Sequence, residues 1–189
     1  MADDAMSGAT REHVLALLRA HAATPLDAQE AATTAEMLRF VEAEPLCAER
    51  ALAFGHLTGS AWIVDPSRRR TLLTHHRKLD KWLQLGGHAD GDLDLRAVAL
   101  REAQEESGLT RLRVASDRLF DVDRHWIPPR KSDPGHWHYD LRFLIEADPE
   151  EPLVVTAESK ELAWIELARL AEYNPEESMM RMARKTMPV

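Results

Sequence analysis

Apolar residues recur at helical spacing twice before any strand-like pattern begins. In TREHVLALLRAHA, residues 10–22, Val14, Leu17 and Leu18 share one side, and Thr10 stands where an N-cap belongs. Residues 27–43 predict a second helix with Met37, Leu38 and Val41 on one side; Pro25 separates the pair and Pro45 follows it. The period then drops to two. SAWIVD (60–65) and TLLTHH (71–76) read as hairpin strands around the turn-forming DPSRRR, and WLQL (82–85) as a short extended piece. A helix follows from Leu95 to the glycine at 108. RLRVAS and RLFDVD, within 111–123, are strand-like, and IPPRKSDPG (127–135), with its prolines and glycine, is a loop.

The clearest alternation is HWHYDLRFLI, residues 136–145. Trp137, Tyr139, Leu141, Phe143 and Ile145 fall on one face, and His136, His138, Asp140 and Arg142 on the other. AWIEL (163–167) is a further strand, LARLAEY continues it as a helix, and PEESMMRMARKT reads as a polar helical tail. Strands flanked by helices, with several hairpins, predict an α/β or α+β chain around a mixed sheet, preceded by a helical pair.

The helix after Gly86 and Gly87 carries the chemistry. On a wheel of 100° per residue, Leu95, Val98, Ala99, Glu102, Glu105 and Glu106 share one sector roughly 100° wide. The stripe starts apolar and turns acidic, so the acids point to a cleft beside the core. Asp94 suits the N-cap and Gly108 the left-handed C-terminal turn. Like charges at these spacings repel. A divalent cation would offset that repulsion, and hard cations take oxygen ligands. The plainer reading is a solvated acidic face paired with Arg101; the glycine pair and the stripe favour the cation.

Gly87 together with REAQEESGL (101–109) resembles the signature of the Nudix hydrolases. One position departs: the family's earlier glutamate is Leu93, and Asp92 or Asp94 could hold Arg101 instead. The resemblance implies an α/β/α sandwich around a mixed β-sheet, with residues 51–189 as the Nudix domain and 1–50 as a helical extension packed on it. It implies hydrolysis of a nucleoside diphosphate linked to another group. By position it assigns Glu105, Glu106 and Arg101 to catalysis and Gly86, Glu102, Glu105 and Glu106 to Mg²⁺, with Mn²⁺ as the alternative. A later-loop base would be Glu158 or Glu161.

Substrate contacts are sought in the basic cluster His75, His76, Arg77, Lys78 and Lys81, for which the alternative is a solvated hairpin end, in His88, and in His136 and His138. The last two share a face with Asp140, as a substrate-facing wall or second metal site would require; the alternative is a solvent face. His56 and His125 read as ordinary polar residues, and Trp62, Trp82, Trp126 and Trp164 as core or pocket wall.

Composition narrows the partners. A formal net charge of -8 argues against nucleic-acid polymers and membrane surfaces, leaving a small diphosphate-containing substrate. A single cysteine, Cys47, forbids an intrachain disulfide, and with no signal-peptide pattern the expected compartment is the cytoplasm. The expected state is a monomer or homodimer. Two other functions compete. An isopentenyl diphosphate isomerase shares the fold but needs a pocket cysteine, and Cys47 precedes the sheet. A non-catalytic Nudix-fold module has only Leu93 in its favour.

Overall fold

The computed structural model describes residues 8–129 and 134–187. The chain start, read for a signal peptide, and residues 130–133 of the predicted loop lie outside the described residues.

The helical pair forms as α1 (Arg11–Ala22) and α2 (Ala28–Ala43). Asp27 caps α2 by accepting from the Glu30 N–H at 2.8 Å, whereas the Thr10 side chain makes no cap bond on α1. Val14, Leu18, Met37 and Val41 are buried in the same apolar cluster as Leu57, Leu141 and Phe143 of the sheet. Phe40 stacks on Tyr139 with ring centroids 4.0 Å apart. The pair therefore shares a core with the sheet.

Eight strands form one mixed sheet among the described residues. They are β1 (Gly55–Val64), β2 (Arg70–His76), β3 (Lys81–Leu83), β4 (Leu85–His88), β5 (Arg113–Val114), β6 (Asp121–Ile127), β7 (His136–Glu146) and β8 (Ser159–Glu166). β7 runs parallel to β1 along all of β1, from Gly55↔Trp137 to Val64↔Glu146. The other edge of β1 is divided: β4 pairs with Thr58–Ala61 and β2 with Ile63 and Val64. WLQL is thus two strands, because β3 stays with β2 while β4 crosses to β1. The break falls at Gln84, whose amide donates to Asp140 at 3.2 Å.

One sheet face packs on α1, α2 and α3 (Leu95–Ser107). A Cβ on Gly59 would lie 2.6 Å from the Leu95 carbonyl and 3.1 Å from Val98, so α3 sits closer to β1 than a larger residue would permit. Asp94 caps α3 through the Ala97 N–H at 3.0 Å, and Gly108 closes it at φ 73°. The opposite face buries Trp62, Val64, Leu73, Leu144 and Ile165 beneath α4 (Glu177–Thr186). Two of the sequence-derived elements change. LARLAE is a 3-10 turn (Leu167–Glu172), and α4 is amphipathic rather than polar, with Met179, Met182 and Ala183 buried. Those three residues follow i, i+3, i+4 spacing, which the surrounding charges mask. Trp62 Nε1 donates to Thr186 at 2.8 Å. No helix among the described residues is long and apolar enough to cross a membrane.

A buried ionic cluster ties these layers together. Asp121 of β6 accepts from Arg181 at 2.7 and 2.8 Å, from Lys185 at 2.8 Å and from Arg142 at 3.3 Å. Glu30 of α2 joins through Lys185 and through His21, the latter at 2.8 Å. Helices from both ends of the chain thus meet one strand through charge.

Candidate active site

Along the second sheet face the alternation turns polar before it reaches the core under α4. β1 presents His56, Thr58 and Ser60, and β7 presents His136, His138, Asp140 and Arg142, in register as His56↔His138, Thr58↔Asp140 and Ser60↔Arg142. Most of this strip lines a cleft of about 680 Å³, walled also by Gly86, Gly87, His88, Glu102, Glu106, Trp126 and Glu158.

Glu102 and Glu106 approach the cleft beside the glycine strand. A Cβ on Gly87 would lie 2.4 Å from the Glu102 carboxylate, so the bare backbone makes room for it. Glu106 is 9% exposed and accepts the Gly86 N–H at 3.3 Å. Burial pushes its carboxyl up to about 8; the charges of Glu102, Glu158 and Glu105 add to that, and the Gly86 N–H opposes it. Burial also raises Glu102, against the pull of Arg101. Among the described residues no lysine or arginine pairs with Glu106. A divalent cation fits these donors: adjacent carboxylates, costly to ionise as they stand and made of the hard oxygens Mg²⁺ takes. Glu105 is exposed on the rim and does not line the cleft.

The question raised by Leu93 has a geometric answer. Arg101 lies 3.7 Å from Asp92 and 3.6 Å from Glu102. Asp94 is occupied as the helix cap, and Leu93 packs against the core.

The sequence-derived substrate contacts divide. His76, Lys78, Lys81, His88 and His138 line the cleft, Lys81 pairing with Glu176 at 2.6 Å. His136 stands beside His138, with Nε2 atoms 3.1 Å apart. His75 and Arg77 do not line it. His75 bonds Asp80 at 2.7 Å and stacks on Trp82, and Arg77 donates to the Ala157 and Ser159 carbonyls at 3.0 and 2.8 Å. Glu158 is on the cleft wall; Glu161 sits opposite His75 on β8, outside it. Asp140 is not free to bind a metal: it accepts from Ser60 at 2.7 Å, Thr58 and Arg142 at 2.9 Å, and Gln84. Arg142 is held charged. Burial opposes that, but Asp123, Asp140 and Asp121 outweigh it. The polar strip is therefore an inner wall, not a solvent face.

Sequence reasoning undervalued His56 and His125 and missed Thr58, Ser60 and Gln84. His56 is buried, with ring centroids 4.9–5.1 Å from those of His88, His136 and His138. The even positions of GHLTGSAWIV carry the signal, since His56, Thr58 and Ser60 alternate just as the strip on β7 does.

A family model described as the NUDIX domain matches residues 56–185. The chain belongs to the NUDIX family. Among solved structures it is similar to a NUDIX-family hydrolase from Clostridium perfringens, at 26% identity and a TM-score of 0.50, covering 69% of this chain and 95% of that one. It is also similar to an E. coli dihydroneopterin triphosphate pyrophosphohydrolase, at 18% identity and a TM-score of 0.54, covering 68% of this chain and 92% of that one. A C. elegans Ap4A hydrolase shares the fold at 18% identity and a TM-score of 0.53, covering 68% of this chain and 93% of that one. No curated protein matches. In this NUDIX protein the matched segment contains β1, the glycine strand and α3, whereas α1 and α2 precede it.

Proposed function

We propose that this NUDIX protein, a hydrolase of phosphorus-containing anhydrides, uses Mg²⁺ or Mn²⁺ to cleave a nucleoside diphosphate linked to a second group. The observation that carries the reading is the burial of the Glu106 carboxyl beside Glu102 and the glycine strand, where ionisation is costly without a cation. Glu102 and Glu106 would hold the ion with the Gly86 carbonyl, and Glu105 would add charge from the rim. When bound, the ion neutralises the diphosphate and acidifies a water. Asp92 steadies Arg101 against Glu102. Glu158 is favoured over Glu161 as the base, because it faces the cleft. The half-exposed Trp126 ring offers a flat wall to the second group. A cleft of about 680 Å³ suits a nucleotide-sized ligand.

Two observations weigh against the competing readings. Cys47 is buried in the core under the helical pair, with its thiol pushed up by burial, so it supplies no cleft nucleophile for an isomerase. A binding module without a cation would gain nothing from burying Glu106. Cytoplasmic residence remains part of the proposal, resting on the single cysteine.

A panel of nucleoside triphosphates, dinucleoside polyphosphates, nucleotide sugars and ADP-ribose, scored by product identity with Mg²⁺ and with chelator, tests the reading. The expected result is metal-dependent cleavage that Glu106→Gln abolishes in folded protein. Turnover that survives the chelator and that substitution would overturn it.

A further inference from the structure

Three histidines meet on the polar strip: His56 of β1, and His136 and His138 of β7. One ring nitrogen from each lies within 4.8 Å of the others. The His136 Nδ1 is 2.9 Å from the Pro134 carbonyl. A carbonyl only accepts, so that nitrogen carries the proton and Nε2 presents its lone pair to His138, 3.1 Å away. His56 is 3% exposed, and neither of its ring nitrogens has a hydrogen-bond partner. Native proteins rarely leave a buried imidazole in that state. A simple His136–His138 hydrogen bond would explain two of the rings and leave the third unexplained.

We propose that His56, His136 and His138 form a second metal site, distinct from the carboxylates of Glu102 and Glu106, that binds a transition-metal ion, Zn²⁺ by its donor set. Three imidazoles suit zinc and its first-row neighbours, whereas Mg²⁺ takes oxygen. A tetrahedral ion with Zn–N of about 2.0–2.1 Å holds its nitrogens about 3.3 Å apart. The His136–His138 pair, at 3.1 Å, is close to that spacing, and a His56 nitrogen lies within 4.8 Å of both. The hydrogen bond from His136 to Pro134 is the orienting contact that ligating histidines use. Asp140 is engaged with its own partners, so no carboxylate from the strip quenches the ion's charge. Of the three, His138 lines the cleft, so the site adjoins the space open to a ligand.

The test uses tag-free full-length protein stripped with chelator. It is titrated with Zn²⁺ against a chromophoric competitor and, separately, with Co²⁺ followed by visible absorption. Wild type should bind one equivalent of Zn²⁺ tightly and develop a tetrahedral Co²⁺ band, and Glu106→Gln should do the same. His136→Ala and His138→Ala should lose the band. Their Zn²⁺ affinity should fall by more than the roughly 10–100-fold that follows loss of a ligand's orienting partner. His136 is only half-buried, so His136→Ala tests the site without hollowing the core; a thermal melt monitors its fold. Three results would overturn the proposal: no stoichiometric Zn²⁺ in wild type, unchanged affinity in both histidine variants, or binding lost in Glu106→Gln but kept in those variants. Success or failure here is independent of pyrophosphohydrolase activity.

Discussion

Asp121 offers the sharpest test of what holds the helices on the sheet. Its side chain is fully buried among Arg181, Lys185 and Arg142, with contacts of 2.7 to 3.3 Å. Asp121→Asn keeps the shape and removes the charge, leaving buried cations without their anion. Breaking a buried ion network in this way costs about 3–5 kcal/mol. With a urea slope of about 3 kcal/mol/M, the unfolding midpoint should fall by about 1–2 M. The loss should depend on pH with a definite sign. Burial opposes ionisation of Asp121, but the Arg181 bonds and the charges of Arg142 and Lys185 outweigh it and hold the carboxyl below its usual range. A depressed carboxyl contributes stability above its unfolded value of about 3.9, and that stability is lost as pH falls through the lower folded value. The gap between wild type and variant should therefore be full at pH 7 and shrink below about pH 4. Urea titrations followed by far-UV circular dichroism at several pH values measure it. A gap under about 1 kcal/mol, or one unchanged by acid, would refute the claim that this charge anchors the fold.

Other outcomes follow from single contacts. Gly87→Ala should drive the Glu102 carboxylate from its seat and lower Mg²⁺-dependent turnover by an order of magnitude or more, with little change in melting temperature. Gly59→Ala should push α3 off β1 and destabilise by about 1–3 kcal/mol, read by urea unfolding. Glu106 has a raised carboxyl, so without metal its contribution to stability is present at low pH and lost as pH rises from the unfolded value of about 4.3 through about 8. In chelator at pH 9, Glu106→Gln should melt at or above wild type, and added Mg²⁺ should raise the wild-type melting temperature alone. Asp92→Asn should loosen Arg101 and reduce kcat/KM several-fold without unfolding the protein, as steady-state kinetics would report.

Much of this architecture was written in local pattern. The two N-terminal helices, the hairpin strands, the α3 caps at Asp94 and Gly108, and the alternation of 136–145 follow from apolar period and turn chemistry within a few neighbours. The acidic half-stripe on α3 was legible for the same reason, because a helix wheel is a local object. What escaped depends on contacts distant in sequence. The parallel pairing of β1 with β7 sets His56 beside His138, and no local signal fixes that register. The wheel grouped Glu105 with Glu102 and Glu106, but it sits at the sector's edge, and packing turns only the other two toward the cleft. The basic cluster around His75 and Arg77 read as substrate contacts because charge alone cannot tell a cleft wall from a loop tie; Arg77 is consumed by two carbonyls. Arg181 and Lys185 made α4 look polar, since their buried partners Asp121 and Glu30 lie at least 60 residues away in sequence.

A crystal structure of the protein soaked with Mn²⁺ and a non-hydrolysable diphosphate nucleotide, read from the Mn²⁺ anomalous signal, would test directly whether the buried carboxylates hold a cation. Mn²⁺ should give a peak bounded by the Glu102 and Glu106 carboxylates next to Gly86, with diphosphate oxygens completing the shell. A nucleotide bound in the cleft with no peak at those two carboxylates would contradict it.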